Sequence, residues 1–464
     1  MPISIQFLGG AQTVTGSMHL ISVNGSKILI DCGLYHGRRD EAFEVNSNFN
    51  FNPKEINAVI LSHAHVDHCG NLPTLVNKGF RSNIYSTIPT QKLCDYMLPD
   101  SGHVQEEDVK YVNKINLKRD LPPRMPLYTV NDAINTLPYF MPVEYHRRQR
   151  ITDNIDVTFF DAGHILGSSI PVLDIKTGDK NTRIAYAVDL GRPKMPLIRD
   201  PEIPKDVDYL IIESTYGART HDTIEAAEDE LASAINSTVA RGGKIIIPSF
   251  ALERAQLLVY FISELIKRGK VKKLPIYVDS PLTVNLTNVF RQNWEYFDEI
   301  TKEAFKREED PLGYDNITYI SDVNDSKRLS FEDGPMIIIS ASGMCENGRI
   351  LHHLKNNIGS PKNTVIIAGF MAKNTLGRRI VEREKTVKIF GQPVDLKAEV
   401  VTLNAFSSHA DKNGLLDFVK GCGHKVKKVF IVHGEIEQSK IFEESLKEQG
   451  INASIPAKNE TVTL

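Results

Sequence analysis

The sequence predicts an α/β protein in which a strand-rich part receives a second α/β part as an insert. Two observations carry this. Apolar, β-branched runs end repeatedly in a histidine or aspartate beside glycine, at Asp31, at the cluster 63–68, at His164 and at Asp189. From about residue 214 the pattern changes to amphipathic helices alternating with short apolar runs, which implies a mostly parallel sheet with helices on its faces. A length of 464 residues fits two or three domains, or one domain with a large insertion. With 41% hydrophobic and 24% charged residues the composition is that of an ordinary globular chain. The net charge of -3 excludes a general basic field, so nucleic-acid contact would rest on a local patch or a metal-lined cleft. Cys32, Cys69, Cys94, Cys345 and Cys422 are scattered and odd in number. They argue against structural disulfides and a zinc ribbon, and for a reducing, cytoplasmic compartment. No apolar run approaches the ~20 residues of a membrane span. The alternation Ile3, Ile5, Phe7 reads as a strand rather than a leader peptide.

Residues 3–8, 17–23 and 27–31 read as strands broken by glycine-rich turns, the third ending at Asp31-Cys32-Gly33. A carboxylate there can orient a ligand histidine from behind, or cap a turn. The run Asn57-Ala58-Val59-Ile60-Leu61 is a buried strand leading into Ser62-His63-Ala64-His65-Val66-Asp67-His68-Cys69-Gly70. His63 and His65 alternate in extended chain and share a side. Asp67 and His68 follow where the chain bends. Imidazoles plus one carboxylate suit zinc. Four such groups exceed what one metal with an open position takes, so the loop predicts two metals. Gly70, Asn71 and Pro73 suit a turn into a helix. Residues 91–116 read as helical, with Leu93, Tyr96 and Met97 at helical spacing. Residues 117–150, rich in Lys, Arg and Pro, read as an irregular surface excursion; His103, in the helical stretch before it, and His146 read as structural or surface residues. Strand-like 157–160 leads to Asp161-Ala162-Gly163-His164, and strand 182–188 to Asp189-Leu190-Gly191. Asp189 suits a bridge between two cations, because each of its oxygens can take one.

Asp31, His63-x-His65-x-Asp67-His68, His164 and Asp189 resemble the ordered motifs of the metallo-β-lactamase fold. The resemblance implies an αββα sandwich with a dinuclear zinc site at one sheet edge. It would put His63, His65 and His164 on one Zn2+, Asp67 and His68 on the other, and Asp189 between them.

The chain continues past that fold's usual end. Residues 208–213 form a strand ending in Glu213, and 214–391 read as the insert. Ile224, Ala227, Leu231, Ile235 and Val239 mark an amphipathic helix closed by Gly242-Gly243. Strands follow at 244–248, 276–278, 336–339 and 364–367, and a helix at 252–267. The loop Ser340-Ala341-Ser342-Gly343-Met344 precedes a helix near 348–354 and can bind an anion through backbone N–H groups. Lys373, Arg378 and Arg379 could form a cationic wall against a phosphate backbone, or be solvated charges on a helix. The first part then resumes over 392–464. Strand 400–403 is followed by Phe406-Ser407-Ser408-His409, strand 428–432 by His433-Gly434-Glu435, and a helix over 436–449 closes the chain. The expected domains are therefore 1–213, 214–391 and 392–464.

Glu213, His409 and His433 fall where the β-CASP subgroup of metallo-β-lactamase proteins carries its extra motifs. The loops at 340–344 and 369–379 are similar to that subgroup's as well, and the match spans essentially the whole chain. Ser408 departs from the pattern, where Ala is more usual. The chain resembles a compact bacterial or archaeal relative of the endonuclease subunit of the cleavage and polyadenylation specificity factor. The resemblance implies a zinc-dependent ribonuclease acting on single-stranded RNA, with no membrane association and a homodimer left open. His433 would complete the second zinc, His409 would act as general acid, and Glu213 would orient it. Asp67 would serve catalysis through its metal. Ser407, Ser408, Ser342, Gly343, Lys373 and Arg378 would meet phosphate. The rivals are a DNA-processing nuclease of the same fold, in which Val is usual where His433 stands, and a non-catalytic scaffold subunit, which would have lost ligands.

Overall fold

Strand register decides where the polar strand ends fall. The computed structural model describes every residue except Met1, Phe370, Lys373 and Asn404. The chain forms two units, Met1–Thr220 with His409–Leu464, and His221–Ser408. The first unit holds two seven-stranded sheets. One runs Thr461–Thr463, Ser4–Gly9, Met18–Val23, Ser26–Ile30, Ala58–Ile60, Asn83–Thr87, Phe140–Val143. The other runs Ala453–Ser454, Lys428–Val432, Tyr209–Glu213, Lys180–Ala187, Ser169–Thr177, Ile155–Asp161, Gln149–Thr152. Ile5, Phe7, Ile28 and Ile30 of the first sheet pack against Ile184, Tyr186, Ile211 and Phe430 of the second. The alternate residues Ala185, Leu210, Ile212, Val429 and Ile431 pack outward against Leu415, Phe418, Phe442 and Leu446 of helices Lys412–Gly421 and Ile436–Glu448. Strands covered on both faces read as continuous apolar runs, which is why these runs are unbroken in the sequence.

Pairing aligns the strand ends. Ile30 is the partner of Ile60, so Asp31 lies beside the start of the histidine loop. Ala187 pairs with Ile212, and Glu213 with Val432, so Asp189, Glu213 and His433 emerge at one edge of the second sheet. Asp31, Asp189 and His433 have φ of 56°, 58° and 44°. This left-handed conformation is uncommon outside glycine and tolerated best by Asp, Asn and His. It turns each chain sharply at the end of its strand.

The second unit carries a six-stranded, all-parallel sheet in the order Ile317–Ile320, Ile276–Asp279, Ile337–Ser340, Ile245–Pro248, Thr364–Ile367, Glu399–Thr402. Strand Glu399–Thr402, expected with the resuming segment, pairs here with Thr364–Ile367. The fold class stands as expected, an αββα sandwich with an α/β insert.

The stretch 117–150 is more regular than expected. Helix Val130–Thr136 is started by a capping box, in which Thr129 and Asp132 each satisfy the other's backbone N–H. Phe140–Val143 and Gln149–Thr152 then form the last strands of the two sheets. Pro142 is tolerated because its strand is an edge. The preceding helix spans Ile88–Leu117 with Pro99 inside it.

Candidate metal centre

The histidine loop leaves strand Ala58–Ile60, bends at Ala64 and makes one helical turn, Val66–Cys69. His63 and His65 therefore lie either side of the bend, while Asp67 and His68 lie on the turn. Gly33 allows this turn to sit close, since a Cβ at residue 33 would stand 1.6 Å from the Asp67 carbonyl oxygen. Gly191 plays the same part beside His164, with a would-be Cβ 1.8 Å from the Gly163 oxygen.

Two donor clusters result. His63 Nε2 lies 3.1 Å from His65 Nδ1, and His164 Nε2 lies 3.3 Å from His65 Nδ1. Asp189 Oδ2 is 3.3 Å from His63 Nε2, 3.4 Å from His164 Nε2 and 4.0 Å from His65 Nδ1. In the second cluster His68 Nε2 is 3.2 Å from His433 Nε2. Asp67 Oδ2 lies 3.5 Å from His433 and 3.9 Å from His68. Asp189 Oδ1 faces this cluster, 3.5 Å from His68 Nε2 and 3.1 Å from His433 Nδ1. A tetrahedral zinc with ligands at 2.0–2.1 Å sets its donors roughly 3.3–3.4 Å apart. Most of these separations sit near that edge length. Asp189 Oδ1 is buried and makes no hydrogen bond among the described residues, a cost that a cation would remove.

Protonation suits the same occupant. Burial, with the charge of His68, pushes His63 below its ordinary pKa, and burial pushes His65 down to about 3. Burial and His409 hold His164 well below the usual range. Burial alone would raise Asp189, but the charges of His433, His68 and His409 outweigh it and hold it well below the carboxylate range. Burial would likewise raise Asp67, and the bond from His433 and the charge of His68 overcome it. His68 goes the other way, as Asp189 and Asp31 outweigh its burial and raise it well above normal. Neutral imidazoles beside ionised carboxylates form a ligand set for a divalent cation, with the His68 proton to be released on loading.

Asp31, fully buried, stands behind His68. Its Oδ2 is 2.7 Å from His68 Nδ1 and also accepts from Ser62 Oγ at 2.8 Å and Tyr186 OH at 2.9 Å, while Oδ1 accepts the Ser62 N–H at 2.8 Å. Ser62 Oγ also reaches His63 Nδ1 at 3.0 Å. Glu213 lies near Asp189 and His433, but its oxygens are engaged elsewhere. They accept the N–H groups of Leu190 at 2.5 Å and Thr215 at 3.3 Å, and face His409 Nδ1 at 3.1 and 3.2 Å. The His409 backbone bridges to Gly191, and its ring centroid lies 4.5 Å from that of His164.

The sequence pattern did not mark Ser62, Tyr186, Thr215, Gly33 or Gly191 as parts of this centre. Ser62 carried a usable signal in its place beside His63, and Gly33 and Gly191 in theirs after Asp31 and Asp189; Tyr186 and Thr215 carried none. Of the expected phosphate contacts, Ser342, Gly343, Arg378, Ser407 and Ser408 belong to the second unit. Ser407 and Ser408 are buried and Ser342 half-buried. Arg378 Nε pairs with Glu382 at 2.7 Å, one helical turn away. Lys373 lies outside the described residues.

Residues 20–199 match the model of a metallo-β-lactamase superfamily domain, 255–380 that of the β-CASP domain, and 393–456 that of a Zn-dependent metallo-hydrolase RNA specificity domain. Ribonuclease TTHA0252 of Thermus thermophilus is 34% identical over 93% of this chain and 93% of that protein. The chain belongs to the β-CASP branch of the metallo-β-lactamase superfamily. Another β-CASP relative, the RNase J-like protein of Methanocaldococcus jannaschii, is 31% identical over 95% of this chain and 94% of its own length. Transcription termination factor FttA of the same organism is 30% identical over 93% of this chain and 67% of its own. A solved protein of unknown function from Enterococcus faecalis V583 shares the fold, with a TM-score of 0.54, 13% identity and full coverage of both chains. The family and the clustered His and Asp residues together make this a divalent-metal site. Among the described residues no helix is long and apolar enough to cross a membrane.

Proposed function

We propose that this β-CASP chain is a zinc-dependent ribonuclease that hydrolyses phosphodiester bonds of single-stranded RNA with two Zn2+ per chain. One observation carries the proposal: Asp189 turns Oδ2 to His63 and His164 and Oδ1 to His68 and His433, so one carboxylate serves two donor clusters. His63, His65 and His164 would hold one ion, and Asp67, His68 and His433 the other. Such a pair supplies Lewis acidity that lowers the pKa of water towards ~7 and draws charge from a phosphate oxygen.

The chain's own groups do the rest. Asp31 holds His68 Nδ1, which aims Nε2 at the centre. His409 donates a proton to the leaving oxygen from Nε2, because Glu213 engages Nδ1 and stabilises the charged ring. The His409 side chain is 19% exposed, which gives the leaving group access to it. Ser407 and Ser408 directly precede His409 in the chain and would meet the scissile phosphate. The products are a 5′-phosphate and a 3′-hydroxyl. The names of the relatives support RNA as substrate. Five free, buried cysteines fit a reducing cytoplasm.

The test incubates zinc-loaded protein with circular and with end-labelled single-stranded RNA, beside matched DNA. Cut circles mean internal cleavage, and spared circles with trimmed linear strands mean exonuclease action. RNA left intact at full zinc loading refutes the proposal, and DNA cut in preference reassigns the substrate. Light scattering of the same sample reads whether two copies pair.

A further inference from the structure

In the six-stranded sheet of the second unit two adjacent strands send their chains in opposite directions across the sheet. Ile337–Ser340 lies beside Ile245–Pro248. The chain leaves Ile245–Pro248 and passes Ile337–Ser340 to reach Ile276–Asp279, and it leaves Ile337–Ser340 and passes Ile245–Pro248 to reach Thr364–Ile367. Right-handed crossovers that run in opposite directions put their helices on opposite faces of a sheet, so the two loops leave adjacent carboxyl ends towards opposite faces, where ligands sit in open α/β sheets.

The loop after Ile245–Pro248 places Phe250 there. Its neighbours Ser249 and Leu252 are 2% exposed, whereas Phe250 is 45% exposed. Ser249 N–H donates to the Ser340 carbonyl at 3.0 Å, tying the two loops together. A Cβ on Gly343 would stand 3.0 Å from Cγ, 3.0 Å from Cδ2 and 3.1 Å from Cδ1 of the Phe250 ring. Such near-equal distances put that Cβ over the ring face, so glycine lets the loop lie against the aromatic without pushing the ring away. The loop itself is held. Ser340 Oγ donates to the Asp279 carbonyl at 2.8 Å, and the buried Asp279 carboxylate binds Arg349 at 2.7 Å and His353 at 2.6 Å. An exposed ring on a rigid backing loses little freedom on meeting a ligand.

The surroundings choose the ligand. Ser249, Ala251, Ser342 and Gly343 are small or polar, so the residues beside the ring in these two loops do not extend it into the broad apolar patch that a protein partner covers. A single flat aromatic beside a loop of small residues suits a nucleobase attached to its phosphate. Resting on the ribonuclease proposal, we propose that Phe250 is a stacking platform for one base of the RNA strand, tolerant of base identity because every base has a π-face.

Kinetics on zinc-loaded protein and stopped-flow fluorescence test this together. The chain has one tryptophan, so the double variant Phe250→Trp, Trp294→Phe places a sole reporter at the platform. Phe250→Ala is expected to raise KM for single-stranded RNA roughly 5- to 150-fold, the effect of losing one base–aromatic stack, with kcat within twofold and zinc content unchanged. Phe250→Tyr and Phe250→Trp are expected to restore KM to within threefold. Indole emission of the double variant is expected to fall on mixing with oligoadenylate or oligouridylate. An unchanged KM in Phe250→Ala, a loss confined to kcat, or double-variant emission unmoved by saturating RNA would overturn the platform. Should the wild type cut no RNA, the ribonuclease proposal falls, while the double variant's emission still decides the stacking.

Discussion

Asp31→Asn separates the metal-directing role of the carboxylate from its structural role. The substitution keeps the volume, and Asn tolerates the φ of 56° at this position. Its Oδ1 can still accept the Ser62 N–H. The NH2 group that replaces Oδ2 meets three former donors, Ser62 Oγ, Tyr186 OH and His68 Nδ1. The two hydroxyls can rotate and accept. His68 can accept only by giving up the proton on Nδ1, and the neutral ring then carries its proton on Nε2, the nitrogen that lies 3.2 Å from His433 Nε2. The ligand lone pair is thereby replaced by an N–H. Loss of such a supporting partner weakens metal binding by about 10- to 100-fold, or ~1.4–2.7 kcal/mol. The fold should survive, since one charge-assisted bond becomes a neutral one at about 1–2 kcal/mol. Asp31→Ala, by contrast, leaves the buried Ser62 N–H and His68 Nδ1 without their carboxylate at about 1–3 kcal/mol each, while Ser62 Oγ and Tyr186 OH can turn to His63 Nδ1 and Ser17 Oγ, a loss that is a large share of a domain's stability. Competition titration with a chromophoric zinc chelator reads the constants, and thermal unfolding checks the fold. The expected result is one zinc equivalent at wild-type affinity and a second weakened, with RNA cleavage falling in parallel. Two equivalents at wild-type affinity in a folded Asp31→Asn protein would refute the tautomer reasoning.

Three further outcomes follow from the same geometry. His409→Ala should cut RNA cleavage by about 10²–10⁴-fold while zinc content by mass spectrometry stays at the wild-type value; loss of metal together with activity would make His409 a ligand instead. Gly191→Ala should displace the Gly163-His164 backbone, whose oxygen lies 1.8 Å from the added Cβ, and so lower zinc stoichiometry and melting temperature together; wild-type stoichiometry would show that the loop yields without moving His164. Burial raises Asp161 to about 7, against the opposing effects of the Gly163 N–H and Arg199 and with a further push from Glu202. Between the ordinary value of 3.8 and 7 the folded state holds this proton and the unfolded state does not, so the group's contribution to stability falls as pH rises through that window. Relative to Asp161→Asn, the wild type should thus lose up to about 4 kcal/mol between pH 4 and 8, read by urea unfolding across that range; parallel stability curves would contradict it.

What the sequence determined by itself is local. An apolar run that stops at a histidine or aspartate beside glycine marks a buried strand whose next residue leaves the core, and four such ends in one chain are hard to explain by packing. His63, His65, Asp67 and His68 sit within six positions, so one turn of backbone brings them together whatever the rest of the fold does. Tertiary structure decided what depends on register between distant segments. Tyr186 reaches Asp31 across the sandwich, and Glu213 meets His409 from 196 positions away; neither residue type in isolation announces such a partner. Strand Glu399–Thr402 shows the same limit, because a parallel strand buried on both faces carries no mark of which sheet it joins. The direction of each ligand nitrogen, and the division of Asp189 between two clusters, arise only where the strand ends of the two sheets meet, since there a turn with positive φ sets the line along which a side chain can point.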